Sequence, residues 1–90
     1  MATVRIPSSL RGFTGNKSEV RVGGATVGEV LKNLDTAHPG IGTRVLDDKG
    51  AVRRYVNVFL NDEDIRFLQE LSTPVADGDR LTLIPAIAGG

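Results

Sequence analysis

The residues of this 90-residue chain whose types and spacing point to chemistry stand at its end, Ala86-Ile87-Ala88-Gly89-Gly90. Apart from Ile87 they are small, and none carries a charged side chain. Fully extended, five residues reach about 16 Å. Gly89 and Gly90 lack Cβ atoms, so the carboxylate of Gly90 can thread a channel that larger residues would block. At ordinary glycine usage, a terminal Gly-Gly pair arises by chance roughly once in 200 chains. The plain alternative is a frayed end without a role, since exposed tails are common at termini.

The rest of the chain offers few competing centres. It has no cysteine, which excludes a disulfide scaffold, a thiolate–zinc site and a cysteine nucleophile. Its single histidine, His38, rules out a histidine-rich metal centre and reads as a helix-end residue. Asp62-Glu63-Asp64 groups carboxylates, but neighbours on a strand point to opposite sides, so a solvated turn is expected there. Eleven Lys plus Arg balance eleven Asp plus Glu, and that neutrality argues against phosphate-driven nucleic-acid binding. No apolar run approaches the length of a membrane span and no signal peptide opens the chain, so a cytoplasmic setting is expected.

The elements that would carry the tail are legible as five strands and one main helix. Ala2 to Ile6 alternates, with Ala2, Val4 and Ile6 on one face, and Pro7 ends the run. Ser8 to Lys17 reads as a long turn. Glu19 to Val22 alternates again, giving an antiparallel hairpin. Thr26 and Glu29 form a capping box, each side chain covering the other's backbone N–H, ahead of the stripe Val27, Val30, Leu31 and Leu34. Pro39-Gly40 closes the helix, Ile41 to Leu46 suits a short helical turn, and Asp47 to Gly50 is an exposed loop.

Tyr55 to Leu60 is the strongest strand, with Val56, Val58 and Leu60 inward. Glu63 to Phe67 reads as a short edge strand. Ser72 to Asp79 connects it to the last strand, Arg80 to Ile84, where Leu81 and Leu83 face inward. A hairpin, a helix and further strands give an α+β sandwich, one helix on a mixed five-stranded sheet. This is the order of β-grasp, ubiquitin-like folds. Residues 1–85 form the domain and 86–90 a flexible tail. Ninety residues bury about 63% of the unfolded chain's surface, enough for one modest core. Alternation also turns Phe59 and Ile84 outward on neighbouring strands, an apolar docking patch near the tail that Arg5, Arg21 and Thr82 would rim.

Asp77-Gly78-Asp79, Leu81, Leu83, Pro85 and the closing Ala88-Gly89-Gly90 resemble the C-terminal signature of ubiquitin-like sulfur carriers, the MoaD/ThiS family, most nearly its CysO type. The resemblance extends through Val56-Asn57-Val58, Asn61 to Phe67, Thr73-Pro74, Ile6-Pro7, Leu10-Arg11 and Thr14-Gly15, and so spans nearly the whole chain. Two positions depart from the family's habit. Asn16 and Glu70 stand where relatives often carry glycine. If the position of Glu70 needs a positive φ, the side chain costs about 1 kcal/mol or more, or the loop is redrawn.

The resemblance implies a chemistry. An E1-like adenylyltransferase, using ATP and magnesium, would adenylate the Gly90 carboxylate, and a sulfur donor would then displace AMP to leave a thiocarboxylate. An acceptor synthase would take the sulfur. A pyridoxal-phosphate-dependent cysteine synthase is favoured, with thiosugar, thiamine or molybdopterin synthesis as other destinations. Gly89 and Gly90 would carry the reaction, while Phe59, Ile84, Ile87 and Ala88 would meet the partners. The chain would be a protein reagent with no cofactor or metal of its own. A modifier joined to lysines through Gly90, or a binding module with an incidental tail, are the alternatives.

Overall fold

The computed structural model describes residues 1–85. Strands β1 (Ala2–Arg5) and β2 (Glu19–Val22) pair antiparallel, Val4 opposite Val20 and Ala2 opposite Val22. Their alternation sends these four side chains into the core. Between them, Ser8–Phe13 winds into a 3-10 helix where the sequence suggests only a long turn. Thr14 closes that segment from a buried position, its hydroxyl donating to the Lys17 carbonyl at 2.9 Å. Gly15 and Asn16 then take left-handed conformations, φ 64° and 68°, which both residue types tolerate.

Helix α1 (Val27–Ala37) starts at Thr26, whose Oγ1 accepts from the Glu29 N–H at 3.2 Å. The reciprocal bond, from Thr26 N–H to the Glu29 carboxylate, is absent among the described residues, so the expected box is half formed. Val27, Val30, Leu31 and Leu34 are buried as one stripe. Past the His38 cap, Asp35 Oδ1 accepts from Gly40 N (3.2 Å) and Gly42 N (2.8 Å), binding the turn to α2 (Gly42–Val45). A Cβ on Gly42 would stand 2.7 Å from Asp35 Cγ, so glycine is what lets the carboxylate approach.

Strand β3 (Val56–Leu60) buries Val56, Val58 and Leu60. Tyr55 lies just outside it, exposed. Strand β4 is only Glu63–Asp64. The expected strand to Phe67 fails because the Asp64 carboxylate accepts from Arg66 N at 2.9 Å, turning the backbone into a 3-10 segment, Ile65–Phe67. A local side-chain bond thus replaces the ladder. It buries Ile65 and leaves Phe67 87% exposed.

Strand β5 (Arg80–Pro85) completes a mixed sheet of order β2-β1-β5-β3-β4. It runs parallel to β1, with Val4 opposite Leu81, and antiparallel to β3, with Val58 opposite Leu83. The core lies between α1 and one sheet face, where Leu31, Leu34, Leu81 and Leu83 are fully enclosed. The other face stays open.

Candidate functional site: the root of the tail and the open sheet face

The strand that leads to the tail is hydrogen-bonded on both sides. Its last residue, Pro85, stands opposite Val56, the first of β3. Proline has no N–H to donate, which suits the end of a ladder. Ile87, Ala88, Gly89 and Gly90, the residues expected to react and to enter a partner, lie outside the described residues.

Phe59 and Ile84, the pair expected to meet a partner, both lie on the open face. Ile84 stands opposite Asn57 and Phe59 opposite Thr82, so the two side chains are diagonal neighbours on one side of the β3–β5 ladder. Ile84 is 46% exposed. Phe59 is only half-buried, less open than alternation alone suggests. A shallow groove of about 270 Å³ runs beside them, lined by Phe59, Asn61, Asp62, Thr82 and Ile84. Arg5 lies in register with Thr82 and pairs with Glu19 at 3.7 Å; Arg21 is one strand further out, on β2. Arg66 reaches across the β3 edge, hydrogen-bonded to Asn57 and ion-paired with Asp64 at 3.3 Å.

A second groove, of about 430 Å³, opens on the β1 side of Ile84 and borders Pro85. Sequence reasoning missed it, because it is made where the 3-10 segment folds over the end of β1. Arg11 is half-buried there, and its Nε donates to the Ile6 carbonyl at 3.1 Å. A hollow of about 380 Å³ lies under the other side of β3, between Val56, Val58, Arg53 and the short segment Glu70–Ser72. Glu70 on its rim has φ 52°. The position thus takes the left-handed geometry with a side chain that bears its cost.

At the far end of the sheet, the Asp77 carboxyl is held below its usual range, first by a hydrogen bond from the Met1 ammonium and then by that charge. Among the described residues, no group of three or more His, Cys, Asp or Glu could hold a metal ion. Nor is any helix there long and apolar enough to cross a membrane. The described residues thus offer an exit strand bonded on both sides, an apolar contact beside it and a groove that holds Arg11.

The helix-on-mixed-sheet arrangement is that of ubiquitin-like β-grasp proteins. Residues 4–90 match the ThiS family, and the chain belongs to that family. It is 44% identical to the sulfur carrier protein CysO of Mycobacterium tuberculosis, over 98% of this chain and 97% of that protein. A chain in the crystal structure of the Amycolatopsis orientalis BexX/CysO complex superposes with a TM-score of 0.93 at 43% identity, covering 100% of both chains. Small archaeal modifier protein 1 of Haloferax volcanii superposes with a TM-score of 0.83 at 34% identity, covering 99% of this chain and 98% of that one.

Proposed function

We propose that this protein is a cytoplasmic sulfur carrier that works through its last residue. A carboxylate oxygen of Gly90 attacks the α-phosphorus of ATP, bound with magnesium by an E1-like adenylyltransferase, and pyrophosphate leaves. A sulfur donor then attacks the acyl-adenylate carbon, AMP departs, and a thiocarboxylate remains. The acceptor is a synthase, with pyridoxal-phosphate-dependent cysteine synthesis favoured over thiosugar, thiamine or molybdopterin synthesis. The chain is a sulfur donor rather than a catalyst, and ATP and magnesium belong to its partner.

The observation that carries this reading is the family match, which runs through residue 90 and so includes the Gly-Gly end. The position of Ile84 one residue before the tail root supports it, since a partner drawing in the tail meets that side chain at once. The lack of cysteine also fits. A sulfur held at a chain end needs no thiol, and an internal thiol could attack the activated acyl group.

The test is the intact mass after incubation with ATP, the cognate activating enzyme and a sulfide source. One oxygen-to-sulfur exchange at Gly90 is expected; an unchanged mass with a competent enzyme overturns the reading. Appending a residue after Gly90 should abolish the exchange and leave the fold unaltered. The likeness to small archaeal modifier protein 1 favours a second reading, isopeptide attachment to lysines, at lower identity than the CysO likeness. Lysine-linked adducts of Gly90 in cell lysates would support it.

A further inference from the structure

The groove on the β1 side of Ile84 differs in chemistry from the shallow one beside Phe59. It gathers Arg5, Ser8, Ser9 and Arg11 around the exit of β5, with Ile84 and Pro85 as its apolar wall. Arg11 is the distinctive member. Its Nε–H is committed to the Ile6 carbonyl, which fixes the plane of the guanidinium. Its two terminal amino groups have no hydrogen-bond partner among the described residues, and no carboxylate there pairs with it. Arg5 is partly neutralised by Glu19, whereas among the described residues Arg11 is not. Ser8 and Ser9 are exposed and add two hydroxyl donors. A guanidinium already oriented by its own backbone, with two amino groups unpartnered among the described residues, suits an oxyanion with two acceptor atoms.

Two kinds of anion would satisfy it, a carboxylate on a protein or a phosphate on a nucleotide, and distance separates them. If Gly90 is the residue that reacts, a nucleotide at its carboxylate lies up to about 16 Å of extended chain beyond Pro85. The surface that meets the groove is then the wall of the channel around the tail. The geometry points to Arg11, flanked by Ser8, Ser9 and Arg5, as the receptor for an aspartate or glutamate at the mouth of the activating enzyme's tail channel. This inference rests on the terminal activation proposed above and names the chemistry of the partner.

The experiment is ATP–pyrophosphate exchange by the cognate activating enzyme, with KM for the carrier and KM for ATP measured separately. Arg11→Glu should raise KM for the carrier about tenfold or more, with kcat and KM for ATP unchanged. Ser8→Asp should act in the same direction; Ser8 is exposed, so folding does not confound the result. Arg80→Glu, at the start of β5, should have no effect, and raising the salt should narrow the gap between wild type and Arg11→Glu. Wild-type-like KM values in both groove variants would overturn the inference while leaving terminal activation intact. A rise confined to KM for ATP would assign the groove to nucleotide phosphate and overturn it too. No exchange by the wild-type protein with a competent enzyme would remove the terminal reading, and this inference with it.

Discussion

Replacing Glu70 by glycine should make the protein more stable. Glu70 holds φ 52°, where a Cβ crowds the following carbonyl at about 1–2 kcal/mol per residue. Glycine removes that crowding but loses more conformational freedom on folding, about 0.5–1 kcal/mol. Taken at the middle of both ranges, the difference is a net gain of about 0.5–1 kcal/mol. The loop itself should not change. The Glu70 carbonyl still accepts from Thr73 N at 3.1 Å, and the Thr73 hydroxyl still accepts from Gln69 N at 3.0 Å. For a domain of this size the gain corresponds to a rise in Tm of about 2–8 °C. Glu70→Asn should recover part of it, because asparagine tolerates the left-handed region without glycine's entropy cost. Glu70→Val should lower Tm, since a β-branched side chain fits that region worst. Thermal melts by circular dichroism and urea titration, with an unchanged m-value, would measure the series. A Tm that falls on Glu70→Gly, or is indifferent to Glu70→Val, would refute left-handed strain at this position.

Three further substitutions probe the site and its supports. Ile84→Asp should weaken binding to the activating partner about tenfold, read by calorimetry, with Tm nearly unchanged because the side chain is exposed; unchanged affinity would remove Ile84 from the docking surface. Thr26→Ala removes the acceptor for Glu29 N and should cost about 1 kcal/mol in urea denaturation. Asp35→Ala deprives the Gly40 and Gly42 N–H groups of their shared acceptor, and a loss of about 1–3 kcal/mol is expected, with faster amide exchange at both glycines.

Much of this architecture is local and therefore readable from sequence. Alternation in Ala2–Arg5, Val56–Leu60 and Arg80–Pro85 assigns the inward faces, and the spacing from Val27 to Leu34 assigns the helix stripe. The Gly-Gly end and the outward direction of Phe59 and Ile84 are equally legible. What escapes depends on single side chains redirecting the backbone. Asp64 captures the Arg66 N–H and ends β4 after two residues, and the signal is present as an acidic residue two places before Arg66. The 3-10 turn from Ser8 to Phe13 has no comparable periodicity, so the meeting of Arg11 with the Ile6 carbonyl, and the groove it borders, emerge only from the folded chain. The cost at Glu70 is foreseeable as a condition, and its φ angle is what turns the condition into fact.

The pairing of β5 also has a mechanical consequence. A pull on the chain beyond Pro85 acts along a strand bonded to β1 on one side and β3 on the other. Because both ladders run along the line of force, their hydrogen bonds are loaded together in shear and do not open one after another as a peeled edge strand would. Had the chain ended on β2 or β4, at the margins of the sheet, each tug would have worked a single ladder loose from its end. Under the terminal activation proposed above, release from a partner's channel would apply that tug at every turnover, and it would fall on the interior of the sheet.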